Sequence, residues 1–192
     1  CFSNQAENKI THAAAYGTSC LIKTIQNFTG IKIDYYVKLN FAGVVDLVDA
    51  LGGIDVDVPY AFCEQNSKRK WGSQTVYVEK GQQHLNGEQA LALARNRKKN
   101  TKGMKACGTK YNQGTRNDFV RGQNQQLVVK GIINEAKNLE NITKVYSILD
   151  AISNNMDTNM SRETILSFYN IAKDIMTSSK NSSGELVTIQ KL

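Results

Sequence analysis

The chain has 192 residues, 41% hydrophobic and 21% charged, a balance that supports a packed core and excludes a disordered or collagen-like chain. Its length suits one domain of ordinary size, and no apolar run reaches the roughly 20 residues of a membrane span. The formal net charge of +7 favours anionic partners: nucleic acid, an anionic membrane surface or phosphorylated glycans.

Residues 1 to 9 are polar and read as irregular. From Thr11 the pattern is helical, with Leu21, Ile22, Ile25 and Phe28 at helical spacing and Gly30 where a stop is expected. Ile33, Tyr35, Val37 and Leu39 alternate with Asp34, Tyr36 and Lys38, which predicts a strand. Asn40 then caps a very apolar helix carrying Phe41, Val44, Val45, Leu47, Val48 and Leu51, ended by Gly52-Gly53. Ile54 to Val58 alternates strictly and stops at Pro59, a second strand. Strand, helix and strand with short connections predict an α/β fold with helices layered on a sheet. Residues 61 to 73 read as a loop containing Lys68-Arg69-Lys70, and Thr75 to Val78 as a short strand ending at Gly81. Asn86-Gly87-Glu88 starts a helix with Ala90, Leu91, Leu93 and Ala94 as its apolar part. After a basic loop, Asn117 or Asp118 caps a long helix reaching about Leu139. Two amphipathic helices follow, near 142 to 153 and 162 to 177, the second capped by Ser161. Lys180 to Gly184 reads as a turn and Leu186 to Ile189 as a last strand. No repeat and no linker divides the chain.

Cys1, Cys20, Cys63 and Cys107 lie far apart and the histidines, His12 and His84, stand alone, so no zinc site is expected. An even count fits two disulfides, with Cys1–Cys20 and Cys63–Cys107 the expected pairing; four buried thiols are the alternative. No Walker A, H-E-x-x-H, G-x-S-x-G or G-x-G-x-x-G motif is present.

The chemistry concentrates between Arg95 and Gln125. Eight basic residues fall between Arg95 and Arg116, with no acid before Asp118. Residues 98 to 110 read as a solvated loop that steers anions. On the long helix, Asp118, Arg121 and Gln125 share a face with Val128, Val129, Ile132 and Ala136. That face is either a core stripe opening into a polar pocket, or it begins with an exposed Asp118–Arg121 pair on a solvated turn. Arg95 and Arg97 diverge by about 200° in a helix, so they do not form one fork. Guanidinium groups nonetheless match phosphate oxygens bidentately, as lysine does not.

Three segments in order, IDYYVKLNFAGVVDLVDALGGIDVDVP, KGQQHLNGEQALALARNR and NDFVRGQNQ, resemble the LytR-CpsA-Psr family of Gram-positive cell-wall proteins. The resemblance implies a three-layer α/β/α sandwich with a mixed central sheet, and residues 1 to 192 forming a single, partial catalytic domain. It implies a phosphotransferase that moves an anionic glycopolymer, teichoic acid or capsule, from a polyprenyl pyrophosphate carrier onto peptidoglycan, with Mg²⁺. The alternative is a non-catalytic module that binds lipid pyrophosphate or a wall polyanion. Nucleic acid is not an expected partner, because the basic loop holds only Tyr111 for stacking. The parent protein is expected to be membrane-anchored, on the extracellular face of a Gram-positive cell. Carried over by motif, Arg95, Arg97 and Arg121 would be catalytic, and these three with Asp118 and Gln125 would bind the pyrophosphate. Phe41, Val45 and Val48 would line a lipid tunnel. In three places the chain departs from the family pattern. Asn124 stands where an arginine is usual, and Leu93 where an aromatic is common. The family's first strands, with the Mg²⁺ ligands, are expected before Cys1, so no metal ligand is assigned.

Overall fold

The computed structural model describes residues 9–97, 102–111, 117–139 and 141–179. The expected last strand at 186–189 and the turn before it lie outside them. The chain divides into two compact units, Cys1–Val37 with Thr158–Met160, and Lys38–Asp157 with Ser161–Leu192.

In the first unit the expected long helix is broken. A 3-10 helix, Ile10–Tyr16, runs to Gly17, and α1, Thr18–Thr29, follows and closes on Gly30. Cys20 is buried on α1 as a free thiol; its expected partner, Cys1, lies outside the described residues. The expected strand from Ile33 shrinks to β1, Val37–Leu39. Side chains occupy the backbone groups ahead of it. Asn159 Oδ1 accepts from Tyr36 N–H at 3.0 Å, Asn159 Nδ2 donates to Asp34 O at 2.8 Å, and the Thr158 hydroxyl donates to Tyr36 O. Ladder bonds are therefore not available there.

The second unit holds α2 (Phe41–Leu51), β2 (Ile54–Val58), β3 (Phe62–Glu64), β4 (Val76–Val78), β5 (Gly81–Leu85) and α3 (Gly87–Arg95). Beyond these come α4 (Lys102–Ala106), α5 (Asp118–Lys137) and α6 (Ile142–Ile152). Strand β6 (Met156–Thr158) and helix α7 (Arg162–Ser179) complete the order. Asparagine starts four of the helices by one device. Asn40, Asn86, Asn117 and Asn141 each accept, through Oδ1, the backbone N–H three residues on, at 2.8 to 3.1 Å. Each such cap stabilises by about 1 kcal/mol. Ser161 caps α7 likewise, accepting from Thr164 N–H at 3.1 Å.

The described strands form three two-stranded pairs, β1 with β6, β2 with β5 and β3 with β4, the last two antiparallel. The α/β class holds, with the sheet component in these short pairs. Ile54, Val56 and Val58 point inward from β2 while Asp55 and Asp57 face solvent, as the alternation predicts. β3 and β5 fall where no strand was expected. β3 is buried at every position and so shows no alternation, and β5 reads GQQHL, a mostly polar stretch. Around Phe62, Ile54, Leu85, Leu93 and Val48 a single core forms, with Val128 of α5 closing it. Two glycines permit its closest approaches. A Cβ on Gly87 would lie 2.3 Å from Val45 O, so α3 starts directly against α2. Gly53, at φ 106°, carries the turn from α2 into β2 beneath His84, where a Cβ would lie 2.3 Å from the imidazole Nε2.

Candidate anion-binding site

Helix α3 begins with a capping box. Asn86 Oδ1 accepts from Gln89 N–H at 3.0 Å, and Gln89 Oε1 accepts from Asn86 N–H at 3.1 Å. Its run Ala90-Leu91-Ala92-Leu93 is buried, which fixes the helix in the core and delivers Arg95 at its last turn. Asn96 follows with extended backbone and a fully buried side chain. Because Asn96 turns inward, its two neighbours turn outward, in different directions. Arg95 Nη1 donates to Asn66 O at 3.0 Å, and its guanidinium lies over the Phe41 ring at 4.7 Å. Arg69, held at φ 58° in the turn after Asn66, lies over the same ring at 5.6 Å. Burial pushes the Arg95 pKa down; the Glu64 carboxylate opposes that shift and the Arg69 charge adds to it.

Arg97 reaches the other way. Its Nη1 donates to Asp118 Oδ1 at 3.2 Å, and Arg121 Nη2 meets the same oxygen at 2.8 Å. Asp118 therefore holds together two arginines from segments 21 and 3 positions away. Each guanidinium is more than one-third exposed, so each pair stabilises by no more than about 0.2 to 1 kcal/mol. The result is two guanidinium groups and one carboxylate, a net positive cluster open to an anion. Gln125 Nε2 donates to Ala94 O at 3.3 Å and fastens α5 to the end of α3. The structure thus gathers Arg97, Asp118, Arg121 and Gln125, and sets Arg95 beside Phe41.

The face of α5 differs from expectation. Its inward positions are Asn124, Val128 and Gly131, whereas Val129 is 48% exposed and Gln125 is exposed. The Asp118–Arg121 pair lies on an accessible first turn, not inside a continuation of the core stripe. Asn124 is buried, which the charged pattern around it does not suggest. Its Nδ2 donates to Tyr60 Oη at 2.8 Å. Tyr60 Oη donates to Asn96 Oδ1 at 3.5 Å, and Asn96 Nδ2 donates to Glu64 Oε2 at 3.2 Å. Of this part-buried polar chain only Asn124 is marked in the sequence, as a departure from the family's arginine; Tyr60, Asn96 and Glu64, and Arg69 as a neighbour of Phe41, carry no such signal.

Of the expected tunnel residues, Val48 is fully buried in the core, Val45 is half-buried against Gly87, and Phe41 is 39% exposed under Arg95. The basic loop is less free than its composition predicts. Cys63 and Cys107 are bridged as expected, with Cα atoms 6.5 Å apart, which ties the segment after α4 to β3. Gly103 packs on the Trp71 indole, and Lys110 Nζ and Tyr111 Oη both reach Glu79 Oε1, at 2.7 and 2.6 Å. The described part of the loop, residues 102 to 111, is therefore tied down at these points, while Lys105, Ala106, Gly108, Thr109 and Lys110 stay exposed as expected of a solvated loop. Among the described residues no three His, Cys, Asp or Glu side chains converge as a metal site requires. Asp118 is already engaged by two cations.

A family model described as the LytR_cpsA_psr family matches residues 2–186. The polyisoprenyl-teichoic acid–peptidoglycan teichoic acid transferase TagV of Bacillus subtilis is 37% identical over 150 residues, 77% of this chain and 34% of that protein. The crystal structure of B. subtilis TagV superposes with a TM-score of 0.69 at 32% identity, covering 90% of this chain and 59% of that one. TagT bound to LI-WTA superposes with a TM-score of 0.60 at 27% identity, covering 86% and 55%. The chain thus spans about a third of that curated relative and a little over half of the solved chains.

Proposed function

This chain belongs to the LytR_cpsA_psr family, and from that premise we propose that the protein containing it is a phosphotransferase that attaches teichoic acid to peptidoglycan. The donor would be the polymer on a polyprenyl pyrophosphate carrier. A peptidoglycan hydroxyl oxygen attacks the phosphorus that carries the polymer. The bond from that phosphorus to the bridging oxygen breaks, the polyprenyl phosphate leaves with the electron pair, and the hydroxyl proton passes to a base. Charge builds on the phosphate oxygens and on the leaving group, and fixed cations stabilise it. Arg97 and Arg121 would meet the pyrophosphate, with Arg95, directed over Phe41, contributing from the other side of Asn96. Asp118 would hold both arginines together before substrate arrives, which lowers the cost of arranging them. Phe41, Val45 and Val48 would contribute to the lipid-binding wall.

The single observation that carries this reading is the meeting of Arg97 and Arg121 on one carboxylate oxygen at the ends of α3 and α5. The TagV relationship supports the polymer and acceptor classes. Mg²⁺ is part of the proposal; when bound it would supply further neutralisation of phosphate charge. The Cys63–Cys107 bridge supports an oxidising, extracellular setting; the Gram-positive wall and a membrane anchor in the parent protein are part of the proposal. No helix among the described residues is long and apolar enough to cross a membrane.

Calorimetry with inorganic pyrophosphate tests the site itself. Arg121→Ala removes one charge-assisted contact and is expected to weaken binding by about 10- to 100-fold with the circular dichroism spectrum unchanged. Equal affinity in a folded Arg121→Ala variant would remove Arg121 from the site.

A further inference from the structure

We propose that Tyr60 is a positioning residue for the arginine site, acting through the part-buried hydrogen-bond chain Asn124–Tyr60–Asn96–Glu64; the inference rests on the phosphotransfer reading above. Every donor in this chain has its direction set by chemistry. The Asn124 amide can only donate through Nδ2, and it does so to Tyr60 Oη at 2.8 Å. That leaves the phenol hydrogen for Asn96 Oδ1, at 3.5 Å the longest step. Asn96 Nδ2 then donates to the Glu64 carboxylate at 3.2 Å, whose other oxygen accepts from Gln65 N–H at 3.0 Å. The chain runs one way and ends on a negative charge, an arrangement in which successive bonds polarise one another.

Its two asparagines sit at the hinges of the site. Asn96 lies between Arg95 and Arg97, and Asn124 lies one turn after Arg121 and next to Gln125. Asn96 is 0% and Asn124 1% exposed, so neither amide can turn to water without moving its backbone. Moving the Asn96 backbone swings Arg97, and moving the Asn124 backbone swings Arg121. Tyr60 lies between the two asparagines, accepting from Asn124 and donating to Asn96, so its hydroxyl sets the spacing between the end of α3 and the first turns of α5. The far end does not yield, because Glu64 belongs to β3 and adjoins the bridged Cys63. Asp118 joins the arginines at the surface, and Tyr60 joins the same two segments from below.

The test is steady-state transfer from a polyprenyl-pyrophosphate-linked teichoic acid to peptidoglycan by the intact protein. Tyr60→Phe keeps the ring and leaves Asn124 and Asn96 without their shared partner. kcat and kcat/KM are expected to fall together by about 10- to 100-fold, the scale of an ångström of misplacement. In an Arg121→Ala background, Tyr60→Phe should add less than its full loss, because only its effect through Arg97 remains. A second variant, Tyr60→Phe with Asn124→Leu, replaces both partners of the shortest link with apolar groups and should recover stability. Turnover that stays low in this stable double variant supports positioning; turnover that recovers with stability overturns it. Normal turnover in Tyr60→Phe alone, or its full loss repeated on top of Arg121→Ala, also overturns it. If the unaltered protein transfers nothing, the phosphotransfer reading falls, and the role of Tyr60 with it.

Discussion

Histidine 84 shows how single residues acquire chemistry through contacts that sequence does not display. Its Nδ1 lies 2.7 Å from Asp55 Oδ1 and its Nε2 lies 2.8 Å from Gly52 O. Both partners are acceptors, so only the imidazolium, with two N–H groups, satisfies both. The pKa of His84 is raised above its ordinary 6.5, chiefly by the hydrogen bond to Asp55 and then by that to Gly52 O. A raised folded-state pKa stabilises fully below about 6.5, and the contribution is lost as pH rises through the folded value. An NMR titration is expected to place His84 above 6.5 and Asp55→Asn to lower it. Urea midpoints should decline across that window in the unaltered protein and less in His84→Gln. Read from sequence, His84 stands alone because Asp55 is 29 positions away. The same limit hid Asn96 and Tyr60, and the bonding of Asn124, which sequence marks only as a missing arginine; these bonds span 32 to 64 positions. The arginines were legible because a guanidinium at a helix end has few structural duties, whereas a buried asparagine looks like any polar residue.

At the scale of elements, legibility follows how strongly each segment writes its own period. Helices α2, α3, α5 and α6 carry an asparagine cap, and their starts match expectation within a residue. β2 alternates and was legible; β3 is buried on both faces and β5 is polar, so neither period shows. On α5 the inward face is turned from the expected one, with Asn124 and Gly131 buried beside Val128 while Val129 is exposed. The α2–α3 junction is the tightest of the helix contacts that place the site. A methyl at Gly87 would press on the Val45 backbone, so Gly87→Ala is expected to destabilise by about 1 to 3 kcal/mol. Chemical denaturation checks this, with the slope unchanged. No shift in midpoint would mean that α3 can slide on α2 and that the delivery of Arg95 is not rigid.

For the molecule as a whole, the resemblance carried most of the functional expectation, and composition carried little. A net charge of +7 allowed three classes of anionic partner, and only the order of motifs selected among them. The disulfide Cys63–Cys107 spans 44 positions and fastens the basic loop to the core strand beside Glu64. Cys63→Ser with Cys107→Ser is expected to lower stability by about 2 to 4 kcal/mol. Reductant titration followed by urea denaturation measures it, and equal stability of the reduced protein would show the bridge to be incidental. The central claim is that Arg97 and Arg121, joined by Asp118, receive the donor pyrophosphate. Transfer of radiolabelled teichoic acid from its polyprenyl pyrophosphate carrier to peptidoglycan tests it most directly, in the intact protein with Mg²⁺. Arg97→Ala and Arg121→Ala should each lose at least about tenfold in kcat/KM while remaining folded; normal transfer by either variant would contradict the account.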